Sequence, residues 1–267
     1  MKLVIMTCNS MSSNVVYKDL IEDRHKDIKA IIIAGQVSGD LFKRMRIYFK
    51  FFDRMSFKFF IYKLVESPVW LLYANVKKWI GSRKGKNLIL MKDLAKKYGI
   101  PHHKIKDINS EEAIEFIKSL EPDLILCYSS PILKKGVLAI PKIACLNCHG
   151  SLLPVYKGAA QYVWYLIKGE KVGGTSIQFM DIALDKGKII QQEKFDIEEY
   201  DTAYSLHYKI AKAGSRLFPK VINAFEKGNV AAIGQQGEGN YYAIPTKEDM
   251  KNFRWGKLIK LRDLELI

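Results

Sequence analysis

The sequence predicts an α/β protein with a mostly parallel sheet, an antiparallel pair at one edge and helices on both faces. Short β-branched apolar runs recur along the chain with helical segments between them, which is typical of parallel strands. Two later runs are joined only by residues 181–187, a connection too short for a crossover, so they form the antiparallel pair. With 267 residues, 48% of them hydrophobic, the chain can bury a sizeable core.

The first elements form a βαβ unit. Residues 2–8 predict a buried strand, residues 9–13 a turn, residues 14–26 a helix, and residues 28–35 a second β-branched strand that ends at a glycine. Two strands joined by a helix lie parallel, so the sheet is Rossmann-like.

A basic, aromatic helical insert follows the second strand, at about residues 36–87. Between Asp40 and Lys86 there are twelve Lys and Arg residues against three acidic ones, a large part of the chain's net charge of +15. Pro68 and Gly81 should break this stretch into two or more helices. We assign residues 1–200, with the insert, to one catalytic domain, and residues 201–267 to a C-terminal helical and irregular extension.

The remaining elements alternate in the same way until the antiparallel pair. Further strands are predicted at residues 103–108, 123–128, 143–148, 174–180 and 188–195, and helices at residues 110–120, 156–167 and 202–227. The tail from Asn229 predicts a short strand, a glycine-rich turn and a final basic helix.

Composition bounds the class of protein. A net charge of +15 favours anionic partners such as phosphates or nucleic acid, and a soluble basic protein without such a partner is the alternative. The N-terminus reads as a first strand and lacks the apolar region of a signal peptide, and no uncharged stretch approaches the length of a membrane span. Four sparse cysteines suit a reduced compartment, so we expect a cytoplasmic protein that is not an integral membrane protein.

Cys145, Cys148 and His149 match the C-x-x-C-H pattern of covalent haem attachment. Such attachment normally follows export, and the chain shows neither an export signal nor an evident second axial ligand. A lone C-x-x-C pair supplies only two of the four ligands that structural zinc needs. We therefore expect neither haem nor a metal here.

Three polar residues can carry chemistry together. Asn147 and His149 are two positions apart at a strand end, so their side chains share a face, and Asp185 lies in the loop "DIALDKG". A carboxylate beside an imidazole fixes its tautomer, and such a trio can stabilise an oxyanion and move one proton. Taken singly, His149 could be a structural histidine and Asp185 a turn residue.

The segments "NCHGSLLPVYKGAAQ" and "GGTSIQFMDIALDKGKII" resemble the signature of the folate-dependent formyltransferase family. That superfamily includes methionyl-tRNA, sugar and glycinamide ribonucleotide formyltransferases, and the resemblance covers roughly residues 123–197. It implies that Asn147, His149 and Asp185 are the catalytic trio. It also implies that 10-formyltetrahydrofolate is the co-substrate, with no metal and no haem.

The resemblance also implies binding residues. The pterin would lie against the main chain of one strand end and against the loop before Asp185. The cofactor-binding residues are Leu126, Cys127, Tyr128, Ser129, Ser130, Ile132, Asp181 and Leu184. The acceptor would be held by Ser12, Ser13 and Asn14, which could instead be an ordinary helix cap, and by Tyr156, Lys157 and Gly158.

The acceptor implied is a phosphorylated primary amine, most closely a nucleotide-linked amino sugar. Members specific for tRNA usually carry a C-terminal β-rich domain, and only about seventy residues follow Ile197. Methionyl-tRNA remains the alternative, because the insert could grip tRNA. The insert could also line the pocket, lie on a membrane surface, or pack as a helical layer or homodimer contact. A formyltetrahydrofolate hydrolase and a non-catalytic RNA-binding protein are further alternatives.

Overall fold

The computed structural model describes residues 1–8, 10–34, 55–66 and 91–266, and every structural statement below concerns these residues. A central sheet of seven strands dominates this part of the chain. Its strands are β1 (Leu3–Thr7), β2 (Ile28–Ala34), β3 (His102–Ile105), β4 (Leu124–Tyr128), β5 (Ala144–His149), β7 (Val172–Phe179) and β8 (Ile189–Asp196). Two short strands, β6 (Tyr156–Gly158) and β9 (Asn240–Tyr242), pair separately.

The strand order confirms the predicted topology. The order is β3-β2-β1-β4-β5-β7-β8, and the first five strands in this order are parallel. β7 runs antiparallel to both β5 and β8, which confirms the antiparallel edge pair. The carboxyl ends of β1, β4 and β5 therefore lie side by side at one edge of the sheet, where open α/β sheets bind ligands.

Helices cover both faces of the sheet, as predicted. They are α1 (Met11–Arg24), α2 (57–66), α3 (Met91–Lys97), α4 (Glu111–Ser119), α5 (Lys135–Leu138), α6 (Gln161–Lys168) and α7 (Ala203–Glu226). α1 begins three residues before its predicted start, because Ser10 caps it by accepting a hydrogen bond from the Ser13 backbone. Thr202 and Ser205 form a reciprocal capping box that starts α7.

The core has two parts, one on each face. Alternate residues of β1 point to opposite sides, so Leu3 and Ile5 pack with α1 and α7, whereas Val4 and Met6 pack on the face of α4 and α5. On the first face the Tyr17 ring stacks on Phe218 with 5.5 Å between centroids. α7 thus belongs to the same core as β1, although the domain boundary at residue 200 stays a prediction.

Two predicted elements are wrong. Residues 156–167 were expected to form one helix, but Tyr156–Gly158 is a strand and α6 begins only at Gln161. β6 forms because its partner β9 lies more than eighty residues later, a non-local pairing that a local pattern does not carry. The chain end is not a basic α-helix but two 3₁₀ helices, Trp255–Lys257 and Leu261–Leu266.

The basic insert lies largely outside the described residues. Of the predicted stretch 36–87, residues 55–66 are described, and 57–66 are helical as expected. Phe59, Phe60 and Tyr62 of this helix are buried in the core on the α1–α7 face. Among the described residues, no helix is both long and apolar enough to cross a membrane.

Candidate active site

The strand ends of β4 and β5 open into a cleft of about 480 Å³. Asn147, His149 and Asp185 all line it, so the fold brings the predicted trio into one cavity. Hydrogen bonds tie the neighbouring strand ends together: the Thr7 hydroxyl donates to the Tyr128 carbonyl at 2.6 Å, and the Cys8 N–H donates to the Ser129 carbonyl at 3.0 Å. These two bonds hold the end of β1 against the end of β4, the strand that pairs with β5.

His149 ends β5 and is buried, with 6% of its surface exposed. Its Nε2 lies 2.7 Å from the Tyr156 carbonyl, and because a carbonyl oxygen only accepts, Nε2 must carry a hydrogen. Its Nδ1 lies 3.3 Å from Asp185 Oδ1, an ion-pair distance when the ring is protonated. Because Nε2 is bonded to the Tyr156 carbonyl, Nδ1 is the ring nitrogen that can interact with Asp185 and with a molecule in the cleft.

Asp185 is held in place from several sides. Its φ of 53° lies in the left-handed region that non-glycine residues seldom adopt. Its Oδ2 accepts a hydrogen bond from the Gly158 N–H at 2.9 Å, and its Oδ1 accepts one from the Gln178 amide at 3.3 Å. Two residues on, Gly187 passes so close to Phe179 that a Cβ there would lie 1.7 Å from the Phe179 carbonyl oxygen. The loop geometry therefore depends on these contacts.

Asn147 lies on the same face of β5 as His149. The two residues stand opposite Gln178 and Ser176 of β7, on one side of the pleated sheet. An amide N–H beside an imidazole N–H can bind an oxygen that gains negative charge.

The two cysteines of the C-x-x-C-H segment lie on opposite faces of the sheet. Cys145 belongs to the core on the α4–α5 face and Cys148 to the core on the α1–α7 face, so one haem or metal could not bind both. Burial raises the pKa of both thiols far above its ordinary value, and it raises the pKa of the Cys127 thiol to about 12. Neutral thiols in an apolar core are structural.

Most of the predicted cofactor-binding residues line the cleft. They are Tyr128, Ser129, Ser130, Ile132, Asp181 and Leu184. The other two, Leu126 and Cys127, have fully buried side chains within β4 and do not line it. Ile132 and Leu184 are exposed aliphatic side chains that line it, which suits an apolar ring.

Of the predicted acceptor-binding residues, only Gly158 lines the cleft. Ser12, Ser13 and Asn14 are buried in the first turn of α1, where the Ser13 hydroxyl bonds to Cys8 and Thr7. Tyr156 donates through its hydroxyl to Glu170 at 2.5 Å, and Lys157 donates to the Glu238 carbonyl at 2.5 Å. These side chains have internal partners, so their predicted role in acceptor binding gains no support from their positions.

A basic and aromatic wall, which the sequence did not single out, lines the cleft instead. It consists of Lys63 from α2, Tyr162 from α6 and His207 from α7. The Tyr162 and His207 rings are stacked with 4.4 Å between centroids. His207 and Glu66 lie 141 positions apart in the chain, so no local signal could have placed them together.

Glu66 anchors this wall from behind. It is 5% exposed, accepts from Tyr62 and His207 at 3.0 Å each, and pairs with Lys63. Burial alone would raise the pKa of Glu66, but the Lys63 ammonium and the hydrogen bond from His207 outweigh it and hold that pKa well below its usual range. A charged carboxylate thus orients two groups of the cleft wall.

Comparison with known proteins identifies the family. The formyl transferase family model matches residues 60–222, more than half of the chain. A methionyl-tRNA formyltransferase from Clostridium tetani is 40% identical over 153 residues, which are 57% of this chain and 49% of the relative. The chain thus spans about half the length of that relative.

Solved structures share the fold at low sequence identity. An N-formyltransferase from Helicobacter canadensis in complex with folinic acid and dTDP-3-aminofucose has a TM-score of 0.58 at 17% identity, covering 91% of this chain and 71% of its own. A glycinamide ribonucleotide transformylase from Symbiobacterium toebii has a TM-score of 0.57 at 16% identity, covering 87% and 94%. The two scores are nearly equal, so the fold does not discriminate between acceptors. Together with the family model, the arrangement of β5 and its cleft leads to one conclusion: the chain belongs to the formyl transferase family.

Proposed function

We propose that the protein transfers a formyl group from 10-formyltetrahydrofolate to the primary amine of a phosphorylated acceptor, and that the acceptor is a nucleotide-linked amino sugar. The observation that carries the formyl transfer is the single cleft in which Asn147 and the His149–Asp185 pair meet. Among the described residues, no group of three or more His, Cys, Asp or Glu is placed to hold a metal ion.

The cleft suits a folate. The strand end at Tyr128–Ile132 and the loop at Asp181–Asp185 both line it, and they offer backbone partners for a flat heteroaromatic ring. The exposed side chains of Ile132 and Leu184 offer apolar surface to that ring. The folate would supply the formyl group, and residues of this chain would stabilise the developing charge and move the proton.

The trio divides the work of the transfer. When the acceptor amine bonds to the formyl carbon, negative charge develops on the formyl oxygen, and the Asn147 amide and His149 Nδ1–H would donate to it. As the bond from the formyl carbon to the folate nitrogen breaks, the acceptor nitrogen loses a proton and the folate nitrogen gains one. Asp185, whose Oδ1 lies 3.3 Å from Nδ1, would orient and stabilise the protonated ring and help pass the amine proton onward to the folate nitrogen.

The cleft wall favours an anionic acceptor. Lys63 and the Tyr162–His207 stack lie in the same cavity as His149, and the whole chain carries a net charge of +15. A phosphate on the acceptor would meet Lys63 while its amine reaches the trio. The Helicobacter canadensis N-formyltransferase has dTDP-3-aminofucose bound on the same fold, so this fold can accommodate a nucleotide sugar.

Initiator methionyl-tRNA is the second candidate. It is favoured by the 40% identity with the Clostridium tetani methionyl-tRNA formyltransferase, although the match covers 49% of that relative. The excess of Lys and Arg between residues 40 and 86 suits a polyanion. Under either proposal the enzyme works on cytoplasmic substrates, and a homodimer is compatible with both.

The test is a turnover assay with 10-formyltetrahydrofolate and a panel of acceptors. The panel holds dTDP-linked, UDP-linked and GDP-linked amino sugars, glycinamide ribonucleotide and charged initiator tRNA, and products are read by mass. We expect one added CO unit on the amine of a nucleotide sugar. Formylated tRNA would support the second candidate, formate without acceptor would indicate a hydrolase, and salt-sensitive RNA binding without turnover would contradict an enzyme.

A further inference from the structure

A segment of the C-terminal tail, residues 233–243, reaches back to the active site. We call it the tail strap. It lies beyond residues 60–222, the part of the chain that the family model matches. It begins with a two-way backbone bridge between Ile233 and Ile189, with hydrogen bonds of 2.8 and 2.9 Å. It ends at Ala243, whose carbonyl accepts from the Trp164 indole at 2.8 Å.

One side chain of the strap bonds directly to the loop of Asp185. The amide Nε2 of Gln235 donates to the Asp185 carbonyl at 2.8 Å and to the Gly187 carbonyl at 2.9 Å. It also lies 3.2 Å from Oε1 of Gln178, whose own amide nitrogen donates to the Asp185 carboxylate. Gln235 thus contacts the backbone on which the catalytic carboxylate sits, and orients a second residue that contacts the carboxylate itself.

The tail strap also holds β6, the strand that contacts both His149 and Asp185. β9 pairs with β6, and the Tyr242 carbonyl accepts from the Ala159 N–H at 2.8 Å. β6 in turn supplies the Tyr156 carbonyl to His149 and the Gly158 N–H to Asp185. Gly158 has a φ of 97°, and a Cβ there would lie 2.2 Å from the Tyr242 carbonyl oxygen, so the two strands approach as closely as glycine permits.

We propose that Gln235 is a positioning residue for the transfer reaction, and that the tail strap holds Asp185 against His149 through it. Asp185 sits at a φ of 53°, a conformation that costs free energy and persists only where surrounding contacts hold it. Two of the three oxygens within hydrogen-bond distance of the Gln235 amide nitrogen are carbonyls of this turn. The inference rests on the proposed catalytic role of Asp185, and its structural part can be measured without turnover.

The experiment compares Gln235→Met and Gln235→Glu with Gln236→Met. Methionine and glutamate keep the length of the side chain but cannot donate, whereas Gln236 is the exposed neighbour and provides the matched control. With the acceptor that the panel identifies, at saturating folate, we expect both Gln235 variants to lower kcat about tenfold with the acceptor KM unchanged. Gln236→Met should match the wild type.

A second readout does not depend on activity. The Gly158 N–H donates to the Asp185 carboxylate, so its hydrogen exchange, followed by NMR, reports whether that carboxylate stays in place. We expect about tenfold faster exchange at Gly158 in both Gln235 variants, with an unchanged midpoint of thermal unfolding. Wild-type exchange at Gly158 in both variants would overturn the inference, as would equal effects of Gln236→Met. If no acceptor is formylated, the proposed function is wrong. The hydrogen exchange at Gly158 still tests whether Gln235 holds the Asp185 carboxylate in place.

Discussion

His149 illustrates what single residues contribute to this site. Its Nε2 is committed to the Tyr156 carbonyl, which also accepts from the Ser151 hydroxyl at 2.7 Å. Removing the imidazole therefore leaves that carbonyl with a partner, and the fold should tolerate the change. We expect the formyl transfer to be lost on this change, because Nδ1 is the ring atom that faces Asp185.

We predict that Asn147→Ala, His149→Ala and Asp185→Asn each lower kcat by about 100-fold or more, since each removes a donor or a charge at the developing oxyanion. Asp185→Asn is chosen because its amide oxygen can still accept from the Gly158 N–H. Steady-state kinetics and thermal unfolding provide the two readouts, with Asp196→Asn at an exposed position of β8 as control. Wild-type turnover by His149→Ala would contradict the assignment of the trio.

Lys63 tests the class of acceptor. We expect Lys63→Met to raise the KM for a phosphorylated acceptor about tenfold, because one charge-assisted hydrogen bond is lost, and to leave the affinity for folinic acid unchanged. Lys220→Met, which removes a 57% exposed cation outside the cleft, is the matched control. An unchanged KM would remove Lys63 from the acceptor site.

At the scale of elements, the site depends on a turn between β7 and β8 that has no room for a larger residue. A Cβ at Gly187 would lie 1.7 Å from the Phe179 carbonyl oxygen, so Gly187→Ala must move the loop that carries Asp185. We predict a loss of turnover of at least about tenfold and a destabilisation of about 1–3 kcal/mol. Gly256→Ala, where a Cβ meets nothing within 4 Å, is the control, and equal behaviour of the two variants would show that the turn tolerates displacement.

Glu66 links two elements, because it lies on α2 and bonds to His207 on α7. Its pKa lies well below the ordinary value of 4.5, so the stability it contributes is present above that value and is lost as the pH falls through the folded-state pKa. We predict that Glu66→Gln lowers the free energy of unfolding by about 2–3 kcal/mol at pH 7. Chemical denaturation between pH 7 and pH 3 should show this difference shrinking below about pH 4.5.

The control for Glu66 is Glu115→Gln, whose carboxylate is 70% exposed and pairs with Lys118 on the same helix. Exposed pairs of this kind contribute little, so this variant should stay within about 0.5 kcal/mol of the wild type at every pH. A difference for Glu66→Gln that persists unchanged down to pH 3 would mean that the carboxylate is not the source of the stability.

Elements with local signals were predictable, and those with distant partners were not. β4, β5, β7 and β8 lie within one or two residues of their predicted bounds, because apolar runs and short connections are local properties. β6 was predicted as part of a helix, because a local pattern cannot show that its strand partner β9 comes from the tail. The wall of Lys63, Tyr162 and His207 escaped prediction for the same reason, since its members come from three different helices.

At the scale of the whole molecule, charge separates the two candidate acceptors. A polyanion that contacts the basic residues between 40 and 86 would release many counterions, whereas a nucleotide sugar carries only two phosphates. We predict that the logarithm of kcat/KM falls with the logarithm of salt concentration with a slope of about −2 or shallower for the nucleotide sugar. A slope of about −4 or steeper for initiator tRNA, together with turnover, would instead favour the second candidate.

The sequence by itself determined the parallel sheet with its antiparallel edge, the identity of the three candidate catalytic residues and the excess of positive charge. These follow from periodicity, from short motifs at strand ends and from composition, which are all local or additive properties. Only the tertiary structure decided which side chains share the cleft and that Gln235 contacts the turn of Asp185. Those arrangements join residues tens to more than a hundred positions apart, and they depend on how the helices and the tail pack on the sheet.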